Sequence, residues 1–106
     1  MIAITHFADD APDFSDRARA ALAALAARPG YVRGTLGRST DDAGAWIVLT
    51  EWDDVGSYRR ALGNYDVKIN ATPLLASAVD VPSAFESLLD VAPDGRTIAR
   101  ESDRSS

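Results

Sequence analysis

A chain of 106 residues is enough for one domain, so whatever it does is done by one core or by a core shared between copies. Sixteen acidic against eleven basic residues leave a net charge of −5, the wrong sign for wrapping nucleic acid or an anionic membrane, and neither is an expected partner. Without cysteine and with one histidine, His6, the chain has no disulfide, no thiolate chemistry and no multi-histidine metal cage, and no metal is expected.

No basic stretch or long apolar run follows Met1, so the reading includes neither a signal peptide nor a membrane span, and the default location is the cytoplasm. Residues 2–8 (IAITHFA) are apolar and β-rich and run into Asp9-Asp10, which predicts a first strand with Ile2, Ile4 and His6 on one side. Pro12 then sits where a helix can start, with Asp13 and Asp16 placed to complement its positive end. Phe14, Ala18, Ala21, Leu22 and Leu25 follow helical spacing, and Pro29-Gly30 closes the segment.

Residues 31–39 read as a strand whose glycines, Gly34 and Gly37, mark bulges or close backbone approach. After a turn at Asp41-Asp42-Ala43-Gly44, residues 45–52 (AWIVLTEW) complete a hairpin. Trp46, Val48, Thr50 and Trp52 share one face of that strand, and Ala45, Ile47, Leu49 and Glu51 the other. Both faces are largely apolar, so helices are expected on one and a second subunit on the other.

Asp53-Asp54 can cap a short helix that turns Tyr58, Ala61 and Leu62 inward and Arg59 and Arg60 outward. Residues 65–78 suggest a helix that Pro73 must kink or restart. Pro82 introduces a fourth strand over 84–91, with Phe85, Leu89 and Val91 on one face. Residues 1–92 thus form the domain, followed by a Pro-Asp-Gly turn at 93–95, then either an edge strand or the start of a tail at 96–100, with disorder over 101–106. The order β-α-β-β-α-β predicts an α+β, ferredoxin-like fold: one antiparallel sheet with helices on one face. Its bare face is expected to pair with a second copy, burying Ile47, Leu49 and their neighbours in a homodimer.

Three stretches carry a resemblance: Pro29-Gly30-Tyr31-Val32 with Gly34, Leu36 and Arg38 after it; Trp46 to Trp52; and Tyr58-Arg59. In order and spacing they resemble the antibiotic biosynthesis monooxygenase family of the dimeric α/β barrel superfamily, over roughly residues 1–91. The resemblance implies a dimer and a cleft between sheet and helices. It implies oxidation of electron-rich fused-ring phenols by molecular oxygen without metal, flavin or other cofactor. Trp52 stands at the family's cleft tryptophan and Tyr58 at its helix tyrosine. Val48 stands where those enzymes carry an asparagine, and Thr72 where they carry an arginine, with Lys68 one turn earlier.

The haem-degrading members of the superfamily place a tryptophan and a ligating histidine at positions that here hold Ala61 and Asn70 or Ala71, so haem degradation is not expected.

The catalytic candidates are therefore His6, Trp52 and Tyr58. His6 is the only side chain whose ordinary pKa lies near neutrality and is a base if its face lines the cleft. Trp46, Val48, Tyr65 and Thr72 are the candidate substrate contacts. The plainer readings are core aromatics at Trp46 and Trp52, a core tyrosine at Tyr58 and a hydrogen-bonded structural histidine. The expected activity is a cofactor-independent monooxygenase of a small aromatic, polyketide-like metabolite. The alternative is a non-catalytic dimeric domain binding a small hydrophobic molecule in the same cleft.

Overall fold

The structure is a computed structural model, and it describes residues 1–102. Strands β1 (Ile2–Ala8), β2 (Tyr31–Arg38), β3 (Ala45–Trp52) and β4 (Ala84–Phe85) form one antiparallel sheet in the order β2-β3-β1-β4. Helix α1 (Phe14–Ala26) crosses from β1 to β2, and β2 and β3 form the hairpin. A run of short helices, α2 (Val55–Leu62), α3 (Tyr65–Asn70) and α4 (Thr72–Leu75), returns the chain towards the sheet edge. This is the expected α+β, ferredoxin-like arrangement, with the core between the sheet and one layer of helices.

The long elements form for local reasons. Phe14, Ala18, Ala21 and Leu25 recur at helical spacing and are buried along α1, while Arg17 and Arg19 stay in solvent. The Pro29-Gly30 corner ends the connection with Gly30 at φ +86°, and a β-carbon there would stand 2.4 Å from that of Ser57. Gly30 also accepts a hydrogen bond from the Asp53 amide at 2.8 Å, which ties the corner to the end of β3. The bulge of β2 lies at Val32, between Tyr31 and Arg33, and not at a glycine. Gly34 and Gly37 instead permit close approach, since β-carbons there would fall 2.4 Å from the Tyr31 hydroxyl and 2.9 Å from Ile47 Cγ1.

Pairing of β1 with β3 sets Ala3 opposite Thr50, Thr5 opposite Val48 and Phe7 opposite Trp46. These residues face the helices, whereas Ile2, Ile4 and His6 lie on the other face with Glu51, Leu49 and Ile47. Pro73 restarts the helix: α3 ends at Asn70, and Pro73 occupies the first turn of α4.

The fourth strand differs from expectation. Phe85 is the partner of Ile2, the first residue of β1, so the chain beyond it has passed the end of that strand and the ladder stops. Residues Leu89–Val91 form a separate strand, β5, which pairs with β6 (Thr97–Ala99) in a two-stranded hairpin. Within the segment at 96–100, Thr97–Ala99 is thus a strand, paired with β5. The boundary expected after residue 92 falls between the two strands of this hairpin. Of the tail expected to be disordered, residues 101 and 102 have no regular structure and 103–106 lie outside the described residues. Among the described residues no helix is long and apolar enough to cross a membrane.

Candidate active site

Between the sheet and the short helices lies a cavity of about 360 Å³. Thr5 of β1 forms part of its sheet side, Tyr58 and Leu62 of α2 and Thr72 and Leu75 of α4 its helix side, and Val79, Val81 and Ser83 of the segment leading into β4 its edge. Of the side chains that line it, those of Thr5, Tyr58, Thr72 and Ser83 carry hydroxyls, the Thr72 hydroxyl donating to the Val67 carbonyl at 3.4 Å, and none is charged.

Tyr58 is placed by the start of α2. The Asp54 carboxylate accepts from the Ser57 amide at 2.7 Å, an N-cap that fixes where the helix begins. That hydrogen bond, followed by the hydrogen bond to the Ser57 side chain and the nearby charge of Arg60, holds the Asp54 carboxyl below its usual pKa. Ser57 is buried against Gly30, so the next residue, Tyr58, is set over the end of β3. There its ring meets Trp52, with centroids 5.6 Å apart, and Tyr31 meets the same indole edge-on at 5.4 Å. The indole nitrogen donates to Thr50 Oγ1 at 2.8 Å, which satisfies the polar atom of a side chain that is 2% exposed. Burial pushes the Tyr58 phenol above its ordinary pKa, and Tyr31 moves the same way for the same reason.

The structure brings Tyr58 and Thr72 together in the cavity lining, with Trp52 packed behind Tyr58. Val48 is fully buried on the same sheet face beside Thr5, without lining the cavity. It does not bring His6 there. His6 is exposed on the opposite face of the sheet and is not among the residues that line this cavity.

His6 lines a larger, adjoining bowl of about 750 Å³ with Gly37, Arg38, Trp46, Ile47 and Pro82, and Val79 and Val81 border both spaces. Trp46 belongs to that bowl as well: its indole nitrogen donates to the Asp9 carbonyl at 3.1 Å, its ring packs on Phe14, and the Arg38 guanidinium lies 4.3 Å from the ring centre. Tyr65, the first residue of α3, is 78% exposed because the helix turns Val67 inward, and it lines neither space.

Thr5, Val79, Val81 and Ser83 are cavity residues that sequence reasoning did not single out. The signal available for Thr5 was a lone polar residue in the alternating set Ala3, Thr5, Phe7. Among the described residues no cluster of three or more acidic or histidine side chains is placed to hold a metal ion.

The family model for antibiotic biosynthesis monooxygenase matches residues 1–68. The chain belongs to this family. Among solved structures, SnoaB, a cofactor-independent oxygenase from Streptomyces nogalater, is similar at 27% identity and a TM-score of 0.64, over 82% of this chain and 93% of that one. An asparagine-to-alanine mutant of SnoaB is similar at 28% identity and a TM-score of 0.66, over 74% and 82% of the two chains. Rv0793 from Mycobacterium tuberculosis shares the fold at 15% identity and a TM-score of 0.60, over 98% and 97%. A search of the curated proteins finds no match. The part of the family that is matched carries Trp52 and Tyr58, whereas the cavity wall from Thr72 to Ser83 lies beyond residue 68.

Proposed function

We propose that this member of the antibiotic biosynthesis monooxygenase family is a cofactor-independent oxygenase of a small aromatic metabolite, bound in the cavity between sheet and helices. The observation that carries the reading is the Tyr58 phenol on the wall of an apolar cavity, backed by Trp52 and held in its protonated form by burial. The likeness to SnoaB, described as a cofactor-independent oxygenase, supports the same reaction class.

The chemistry asks little of the protein. An electron-rich hydroxyaromatic ketone loses a proton from a ring CH2 carbon to solvent, and the resulting anion passes an electron to oxygen. The radical pair joins as a carbon-bound peroxide, takes up a proton and loses water to leave a carbonyl. One oxygen atom ends in the product and the other in water, with no outside reductant. Tyr58 donates a hydrogen bond to the substrate oxygen conjugated with the reacting carbon and stabilises the charge that collects there. The apolar walls orient the rings and keep water from the peroxide. Trp52 acts by holding the Tyr58 ring, and Thr72 adds a polar contact on the helix side. His6 has no part in this scheme.

The working unit we propose is a homodimer joined through the face of the sheet that the helices leave bare. Ile2, Ile4, Ile47 and Leu49 make an apolar strip there, Phe85 is exposed on the strand paired with Ile2, and Leu89, Val91 and Ile98 are exposed on the β5-β6 hairpin. Sedimentation at micromolar concentration is expected to give twice the monomer mass, and a monomer would remove this part of the reading.

The same cavity also suits a non-catalytic binding domain, a reading favoured by the lack of any lining group that titrates near neutrality. An oxygen electrode separates the two. With anthrone as substrate, the enzyme reading expects one oxygen consumed per quinone formed without added reductant. Saturable binding without oxygen uptake would leave the binding domain.

A further inference from the structure

Among the described residues three polar side chains are buried, all of them hydroxyl-bearing, and two have evident partners. Thr50 accepts from Trp52 Nε1 at 2.8 Å, and Ser57 accepts from the Arg60 guanidinium at 3.2 Å. The third, Thr5, is 7% exposed, and among the described residues its hydroxyl makes no hydrogen bond. A buried hydroxyl without a partner is costly, and such groups in native proteins call for a reason. No fully sealed side-chain nitrogen or oxygen among the described residues lacks a partner, so the Thr5 hydroxyl opens onto the cavity that it lines. On the sheet Ala3 and Phe7 flank it on the same face, Val48 stands directly across from it on β3, and the hydroxyl of the diagonal Thr50 is already engaged by the Trp52 indole.

We infer that Thr5 is the sheet-side anchor for an oxygen of the ligand, and that the cavity takes neutral ligands and rejects carboxylates. This rests on the proposed function and deepens it. The charge limit follows from the lining: a carboxylate would be desolvated against hydroxyls and aliphatic groups with no cation to pair it. A neutral hydroxyl or ketone meets Thr5 on the sheet side and Tyr58 on the helix side, so one molecule can be gripped from both sides of the cavity. The threonine hydroxyl both donates and accepts, and so serves a phenol or a ketone equally.

Calorimetric titration of the full chain with 1-naphthol, naphthalene and 1-naphthoate tests this, using the wild type, Thr5→Val and Thr5→Ser. Valine keeps the volume and removes the hydroxyl, and serine restores the hydroxyl. The wild type is expected to bind naphthol more tightly than naphthalene and to bind naphthoate at least about tenfold more weakly than naphthol. Thr5→Val is expected to weaken naphthol by about three- to tenfold and leave naphthalene unchanged, with Thr5→Ser close to wild type for both. Equal naphthol affinity in Thr5→Val and wild type would overturn the role of Thr5 while leaving the cavity as the binding site. Tight binding of naphthoate would overturn the charge selection. Failure of the wild type to bind any of the three would overturn the inference together with the proposed function. A Thr5→Val chain that does not fold, judged by circular dichroism, hands the test to Thr5→Ala beside Thr5→Ser, where equal naphthol affinity again overturns it.

Discussion

The ring of Tyr58 rests against the indole of Trp52, their centroids 5.6 Å apart with 56° between the planes. Tyr58 faces the cavity and Trp52 does not line it, so the two have separable effects. Tyr58→Phe keeps the packing and removes the hydroxyl. Turnover is expected to fall by about a hundredfold, the loss typical of one preorganised donor, with little change in thermal stability. Trp52→Phe opens space behind Tyr58 and is expected to cost about 2 kcal/mol of stability as well as turnover. Steady-state kinetics beside thermal melts for both variants check the separation.

His6 lies across the sheet from this site, on the face with Ile4 and Ile47. Turnover in His6→Ala is expected to match the wild type, measured as initial oxygen uptake at saturating substrate. Loss of turnover with binding intact would bring the imidazole back into the mechanism.

The pH dependence follows from Tyr58. Burial raises its pKa above the usual 10, so the donor form persists throughout the neutral and moderately alkaline range. Turnover is therefore expected to rise with pH as the substrate ionises, with no falling limb below pH 10. Stability has the matching sign. The neutral phenols of Tyr58 and Tyr31 are the forms the fold prefers, so their contribution is complete below pH 10 and is lost as pH rises from there through the raised folded values. Denaturant midpoints between pH 7 and pH 11 measure this directly.

The corner at Gly30 controls where α2 begins. A side chain there meets both a positive φ and Ser57, so Gly30→Ala is expected to lower stability by about 2 kcal/mol and to impair turnover by displacing Tyr58. Adding Ser57→Gly removes the clash and is expected to recover part of the loss. A double-mutant cycle in urea reads the coupling, and strict additivity would contradict it.

Much of this arrangement was legible in the sequence because its signals were redundant. Helix α1 carries apolar spacing, an acidic first turn and a Pro-Gly stop, and β3 carries a tryptophan at both ends of one alternating face. What failed, failed where local pattern underdetermines the outcome. Period two sorts β1 into two faces without saying which meets the helices. Pairing decides it: the side of β3 that bears Trp46 and Trp52 faces the helices, and Ala3, Thr5 and Phe7 lie beside it. The composition of 84–91 suits one strand, but the end of β1 at Ile2 stops the ladder, a constraint visible only once strands are paired. Thr5 went unnoticed because threonine is an ordinary strand residue, and its unmet hydroxyl shows only beside the partnered Thr50 and Ser57.

The central claim is that the cavity behind Tyr58 is open to a small aromatic ligand, and Trp52 can report on it. In a Trp46→Phe variant Trp52 is the sole tryptophan, in contact with the ring that lines the cavity. Titration with anthrone under nitrogen is expected to change its fluorescence saturably at one ligand per chain, and admission of oxygen is expected to release the signal as product forms. A flat response from a folded protein would contradict the account.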